Sequence, residues 1–233
     1  MPRARLPWGV HLATHDLLGH DGAMRRGPKQ HAREHVDAVQ RQRLLEATVE
    51  AVAEVGYAGL TVALVIERAR VSRKTFYELF KDCEECFLAT FQWGVAQLSS
   101  LALEAYHEES CWRDGVRACL ATVLGFLDIE RDWARLLVIE SLAAGGLTVA
   151  ARVELLEQLT LELERGAPQS DGEGSLPLAN QAIIGGTMWI IYTNLLENPS
   201  KSLMDLHGPL MALTMLPYLD VSEARKELNE APA

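Results

Sequence analysis

Between Gly56 and Asp82 the chain places helix-start residues at positions 61 and 72, so close together that only short helices fit between them. Thr61 is an N-cap type whose side-chain oxygen takes a free first-turn amide hydrogen, and Leu60 and Val65 flank it at the spacing of a hydrophobic staple. Ser72 repeats the arrangement with Val71 and Phe76. Upstream, Asp37 with Gln40 makes a capping pair, and Leu44, Ala47, Ala51 and Val55 recur at helical spacing until Gly56 stops the run. Downstream, Asp82 with Glu85 opens a longer helix through Phe87, Phe91, Trp93 and Leu98 to about Tyr106.

Two short helices joined by a tight turn, the second opening with basic residues, are the outline of a helix-turn-helix, whose second helix lies in the DNA major groove. In "VSRKTFYELF" (71–80), Phe76, Leu79 and Phe80 are spaced to face a core while Arg73, Lys74 and Tyr77 face outward. Arg and Lys suit guanine O6 and N7, and both neutralise phosphates. Any surface helix can carry adjacent cations, so the charge distribution matters. The chain has a net charge of −10, but residues 1–81 hold 13 Lys and Arg against 9 Asp and Glu, while residues 82–233 hold 9 against 23. A basic N-terminal third on an acidic body points to a polyanionic partner for the first part alone.

Residues 41–88, "RQRLLEATVEAVAEVGYAGLTVALVIERARVSRKTFYELFKDCEECFL", resemble the DNA-binding domain of the tetracycline-repressor (TetR) family of bacterial transcriptional regulators at Gly56, Tyr57, Thr61, Val62, Ala69, Val71, Ser72, Thr75, Phe76, Tyr77 and Phe80. Three positions depart from the family pattern: Arg70 replaces the usual turn glycine, Lys74 a common glycine and Cys83 a common lysine. Arg70 is therefore expected in a left-handed conformation at a cost of roughly 1 kcal/mol, and Lys81 as the substitute phosphate contact.

The resemblance implies an all-α protein: an N-terminal three-helix helix-turn-helix domain, then a larger helical domain that binds an effector and dimerises. The expected divisions are a flexible basic arm at 1–36, the DNA-binding domain at 37–81 and the body at 82–233. It also implies a repressor that binds a pseudo-palindromic duplex operator as a homodimer and is released by a small apolar effector. Arg73 and Lys74 then probe bases, while Thr61, Thr75, Tyr77 and Lys81 hold phosphates, with Arg70 and Ser72 in the same contact surface. Arg25, Arg26, Lys29 and Arg33, within "MRRGPKQHAR", form an arm that reaches the backbone or the adjacent minor groove.

Beyond Tyr106, apolar helical stretches run through Val116–Leu127, Trp133–Ala144 and Thr148–Leu163, and "RGAPQSDGEGS" (165–175) reads as a flexible loop. Residues 178–197 are apolar nearly all round, so that helix must be covered on two sides, and Asn198-Pro199 ends it. A last helix begins near Ser202 or Pro209 and runs to Leu216. The candidate dimer interface is Ile184, Gly185, Gly186, Leu210, Leu213 and Thr214, with the glycines admitting close backbone approach. The candidate effector pocket draws its walls from Trp93, Phe126, Trp133, Trp189 and Tyr192, although aromatics at this spacing more often serve a core.

Other chemistry finds little support. Cys83-x-x-Cys86 sits in the first turn of a helix, where the dipole favours a thiolate, but Glu84 and Glu85 oppose it; a redox-sensing regulator remains the alternative, alongside a helical enzyme or adaptor without DNA binding. His11, His15, His20, His31 and His35 lack partners at metal-ligand spacing, and no residue set has catalytic spacing, so neither an enzyme nor a metal or other cofactor is expected. Four cysteines in 233 residues, no unbroken apolar run near the ~18 residues that cross a bilayer, and no secretory-type segment in the first thirty residues place the chain in the cytoplasm, away from membranes.

Overall fold

The computed structural model describes residues 28–167 and 177–230. The chain divides into two compact units, residues 1–36 and 37–233. Every described element is helical. They are α1 (Pro28–Val55), α2 (Val62–Ala69), α3 (Arg73–Leu79), α4 (Cys83–Glu108), α5 (Trp112–Ile129), α6 (Arg131–Ala134), α7 (Gly146–Gly166), α8 (Pro177–Glu197), α9 (His207–Met215) and α10 (Val221–Ala224), with 3-10 turns at Leu203–Leu206 and Arg225–Asn229.

Three of the four expected caps are present. Thr61 Oγ1 accepts the Leu64 amide hydrogen at 3.2 Å, Ser72 Oγ that of Thr75 at 3.0 Å and Asp82 Oδ1 that of Glu85 at 2.9 Å. The first helix departs from expectation: it opens at Pro28 rather than Asp37. Proline suits a first helical position because its fixed φ is already helical and its missing N–H would be unpaired there anyway.

A second correction concerns residues 131–144, which are not one continuous α-helix. α6 passes into a π-helical turn at Arg135–Ile139 and a 3-10 turn at Glu140–Leu142. Leu136, Leu137 and Val138 are all buried, and the wider π-turn brings three consecutive side chains inward where a regular α-helix would turn one away. The remaining stretches match in place with shifted ends, and the last helix is reached through a 3-10 turn capped by Ser202. Of the expected loop at 165–175, residues 168–175 lie outside the described residues.

Two cores share α1 and α4. In the head, Leu44, Leu45 and Ala47 of α1 meet Val65 and Ala69 of α2, Phe76 and Phe80, and Cys86 and Ala89 of α4. In the body, Val49 and Val52 of α1 and Phe87 and Phe91 of α4 join Leu124 and Leu127 of α5, the inward face of the π-turn, Ile191 and Leu195 of α8, and Leu210. By length and hydropathy α4 is apolar enough to cross a bilayer. Within it Cys86, Phe87, Ala89, Thr90, Phe91, Gly94 and Ala102 are buried in protein. The C-terminal turn is held by Glu227, which is 1% exposed and pairs with Arg113 and, at 2.8 Å, with Arg117 of α5. A buried carboxylate of this kind is tolerated only because both guanidiniums face it.

Candidate nucleic-acid interface

The turn between α2 and α3 sets the angle of the head's outer surface. Arg70 adopts φ 54°, ψ 43°, the left-handed conformation expected from its place in the turn. Its amide hydrogen goes to the Glu67 carbonyl at 3.3 Å and that of Val71 to the Ile66 carbonyl at 3.2 Å. Together these close α2 in a Schellman motif, and Val71 and Ile66 both pack on the head core. The turn thus keeps its geometry without glycine, at the conformational cost a Cβ imposes.

α3 is anchored from below. Phe76 is fully buried, its ring 5.8 Å from that of the buried Phe80. Because those two hold one side, the opposite side presents Ser72, Arg73, Lys74 and Tyr77 to solvent, with Thr61, Arg70 and Lys81 exposed beside them and Thr75 half-buried. The side chains of Arg70, Arg73 and Lys81 have no hydrogen-bond or ion-pair partner among the described residues. Lys74 lies 3.7 Å from Glu78, both exposed, a pairing worth little. The Ser72 hydroxyl is occupied in the cap and lies 2.9 Å from that of Thr75, so these two organise the helix start as well as facing outward. Of the proposed arm, Arg25 and Arg26 lie outside the described residues, while Lys29 and Arg33 fall in the first turns of α1.

The body aromatics form two separate pairs. Trp93 meets Trp133 edge-on at 5.3 Å, over Gly94, where a Cβ would collide with the Trp133 ring. Trp189 stacks on Tyr192 at 5.4 Å but is 63% exposed, so it stands on the outside of α8. Phe126 packs against the body core. Among the interface residues, Gly185 is exposed, Ile184, Gly186 and Leu213 are half-buried, and Leu210 and Thr214 are buried inside the chain itself.

The cysteine pair is set for packing. Burial pushes the Cys86 thiol up to about 12, against a hydrogen bond to Thr48 that lowers it, and burial followed by the Asp82 charge raises Cys83. A sensing thiolate needs the opposite shift. No group of metal-ligating side chains occurs among the described residues.

One functional contact escaped sequence reasoning. Glu140 Oε2 accepts the Tyr57 amide hydrogen at 2.8 Å and its Oε1 accepts from Arg135 Nε at 3.0 Å, tying the loop after α1 to the 3-10 turn of the body. No local signal marks a partner so distant in sequence.

Residues 44–90 match the model of "Bacterial regulatory proteins, tetR family". No curated protein sequence matches the chain. Similar solved structures include the fatty acid degradation regulator FadR from Bacillus halodurans, with 18% identity over 83% of this chain and 97% of that one and a TM-score of 0.62. FadR from Bacillus subtilis in complex with stearoyl-CoA shares 20% identity over 75% of this chain and 97% of that one, TM-score 0.62. The TetR regulator tylp from Streptomyces fradiae shares 14% over 81% and 90%, TM-score 0.64. At these identities the likeness is one of fold, and the family match is confined to the head: residues 44–90, with their capped short helices, are those of the tetR family of bacterial regulatory proteins.

Proposed function

We propose that the protein is a ligand-responsive repressor that binds a pseudo-palindromic operator as a homodimer and releases it when a small, mostly apolar effector enters the body. The observation that carries this reading is the outer side of α3, where Arg73 is exposed and without a partner among the described residues on a helix locked from behind by Phe76 and Phe80. Arg73 and Lys74 read bases; Thr61, Arg70, Thr75, Tyr77 and Lys81 border the phosphates. The functional divisions follow as arm 1–36, head 37–81 and body 82–233, in a cytoplasmic protein.

Dimerisation runs along α8. Leu178, Ala182, Gly185, Trp189 and Leu196 are all exposed and recur every three, four or seven residues, which makes a single apolar stripe. A Cβ at Gly185 or Gly186 would meet nothing within 4 Å among the described residues, so none of those neighbours requires a glycine at either position. Close approach of a second α8 gives both a role, with Ile184 and Leu213 at the edge of the contact and the buried Leu210 and Thr214 supporting α9 from within. The stearoyl-CoA bound by the Bacillus subtilis relative supports a body that takes an apolar small molecule, and Trp93, Phe126, Trp133 and Tyr192 are its candidate walls here.

Fluorescence anisotropy with genomic fragments at two salt concentrations tests the proposal. Saturable, fragment-selective binding that weakens steeply with salt is expected; weak binding equal for all fragments overturns it.

A further inference from the structure

Arg152 of α7 is 8% exposed and faces no carboxylate among the described residues. Its Nη1 donates to the Leu137 carbonyl at 3.2 Å and to Ser141 Oγ at 3.1 Å, both on the π and 3-10 turns. Nε and Nη2, which form one of the two parallel-donor edges of a guanidinium, have no acceptor among the described residues. Burial pushes the Arg152 pKa down and no neighbouring charge opposes it. One turn earlier on the same side of α7, Thr148 is fully buried and its hydroxyl has no hydrogen-bond partner among the described residues. Ala151 and Leu155, on the intervening and following turns, pack against the body core. Of these groups only the Thr148 hydroxyl is enclosed without a partner; the Nε/Nη2 edge one turn along is open to solvent, so a cationic donor edge that a ligand can reach lies near a buried unpaired hydroxyl and an apolar wall.

We propose that Arg152 and Thr148 form the anchoring site for the carboxylate of an acidic effector, a monocarboxylic acid with an apolar body, its two oxygens on the Nε/Nη2 edge and the Thr148 hydroxyl. The proposal rests on the reading of the body as an effector domain and adds the ligand's charge. It also places the ligand beside the route to the head. The guanidinium that takes the carboxylate is the one that bonds Leu137 and Ser141, and Glu140, the residue before Ser141, holds the Tyr57 amide. A ligand that draws Arg152 toward itself changes the support of that turn, which gives it the differential interaction that a shift between states requires.

The test uses the full-length protein and titration calorimetry with octanoate, decanoate and 3-phenylpropanoate, each against its uncharged primary amide. The carboxylates are expected to bind the wild type at least roughly tenfold tighter than the amides, and Arg152→Gln, a shorter and neutral donor, to remove that preference while leaving amide binding unchanged. Thr148→Val keeps the side-chain shape and breaks no protein contact, so it folds even where Arg152→Gln does not, and it should weaken carboxylates severalfold. Equal binding of acids and amides to the wild type, no binding of any acid, or a preference that survives both substitutions overturns the site. Operator-fragment anisotropy separates this from the broader reading. Acids that bind through Arg152 without altering DNA affinity leave the anion site standing and remove the effector role; amides that release DNA as well as acids do the reverse.

Discussion

The Tyr57 amide hydrogen, in the loop that leaves the head's first helix, is held at 2.8 Å by the carboxylate of Glu140, whose side chain is only 12% accessible. Gly56, just before it, sits at φ 69° with Glu140 oxygens 3.3 Å from where its Cβ would be. Glu140→Ala leaves that amide without an acceptor in a half-buried place, at a cost of about 1–3 kcal/mol. A lower urea midpoint and faster hydrogen exchange at Tyr57 are expected, with Glu140→Gln, which keeps an acceptor oxygen, falling between. Unchanged exchange in the alanine variant means that the contact does not hold the loop.

Arg73→Ala should weaken operator binding by about 1–3 kcal/mol and relax preference at one position per half-site. Lys81→Ala should weaken all sequences alike and lower the salt slope by about one per half-site. Neither side chain has a protein partner among the described residues, so thermal stability stays within about 0.5 kcal/mol of the wild type and the effect is one of binding. Anisotropy across a panel of operator variants checks both; an unchanged specificity profile for Arg73→Ala removes α3 from base reading.

Gly185→Glu tests the α8 stripe. Because no described residue lies within 4 Å of the added Cβ and glycine is a poor helix residue, the isolated chain should fold at least as well as before. In a dimer the carboxylate would be buried without a partner, at a cost of several kcal/mol. Sedimentation should show monomers and anisotropy a lower operator affinity. A dimer of wild-type affinity for both Gly185→Glu and Gly186→Glu moves the interface elsewhere.

What could be read from the chain alone was local. Thr61, Ser72 and Asp82 each bond an amide three residues ahead, so their types announce the helix starts directly. Arg70 was readable by another route, because it stands where the family resemblance places the turn glycine, and the left-handed conformation is found there. The break in the helix at 135–142 was not, because its cause is three adjacent side chains all finding core on one side, and that core is assembled from α1, α4, α5 and α8. Helical phase likewise shows that Leu210 and Thr214 share a face with each other, but not that this face turns into their own chain. Glu140 with Tyr57 and Arg117 with Glu227 are pairings across long sequence separations, invisible until the chain is folded.

Thiol reactivity should follow burial. With a pKa near 12 and no exposure, Cys86 is essentially all thiol at pH 8, whereas Cys111 is exposed. Brief iodoacetamide treatment of the native protein followed by mass spectrometry should label Cys111 well before Cys86. Early labelling of Cys86 would revive a redox role for the Cys83/Cys86 pair.

Acid sensitivity should centre on Asp128, which clasps the turn before α9. Its Oδ1 accepts the Leu203 amide hydrogen at 2.8 Å, its Oδ2 that of Met204 at 3.2 Å and the Ser202 hydroxyl, and Arg131 pairs with it. Burial works to raise its pKa, but these donors outweigh it, and the net shift is downward. A carboxylate with a depressed folded pKa contributes stability that is complete above its unfolded pKa of about 3.9 and is lost as pH falls through the lower folded value. Asp128→Asn should therefore cost about 1–3 kcal/mol at pH 7, where the wild type has the charged acceptor. The gap between the two proteins should close below about pH 4, as the wild-type carboxyl takes up its proton. Urea titrations of both from pH 7 to pH 3 measure that gap; curves that stay parallel over the whole range would show that Asp128 is not the group that titrates with unfolding.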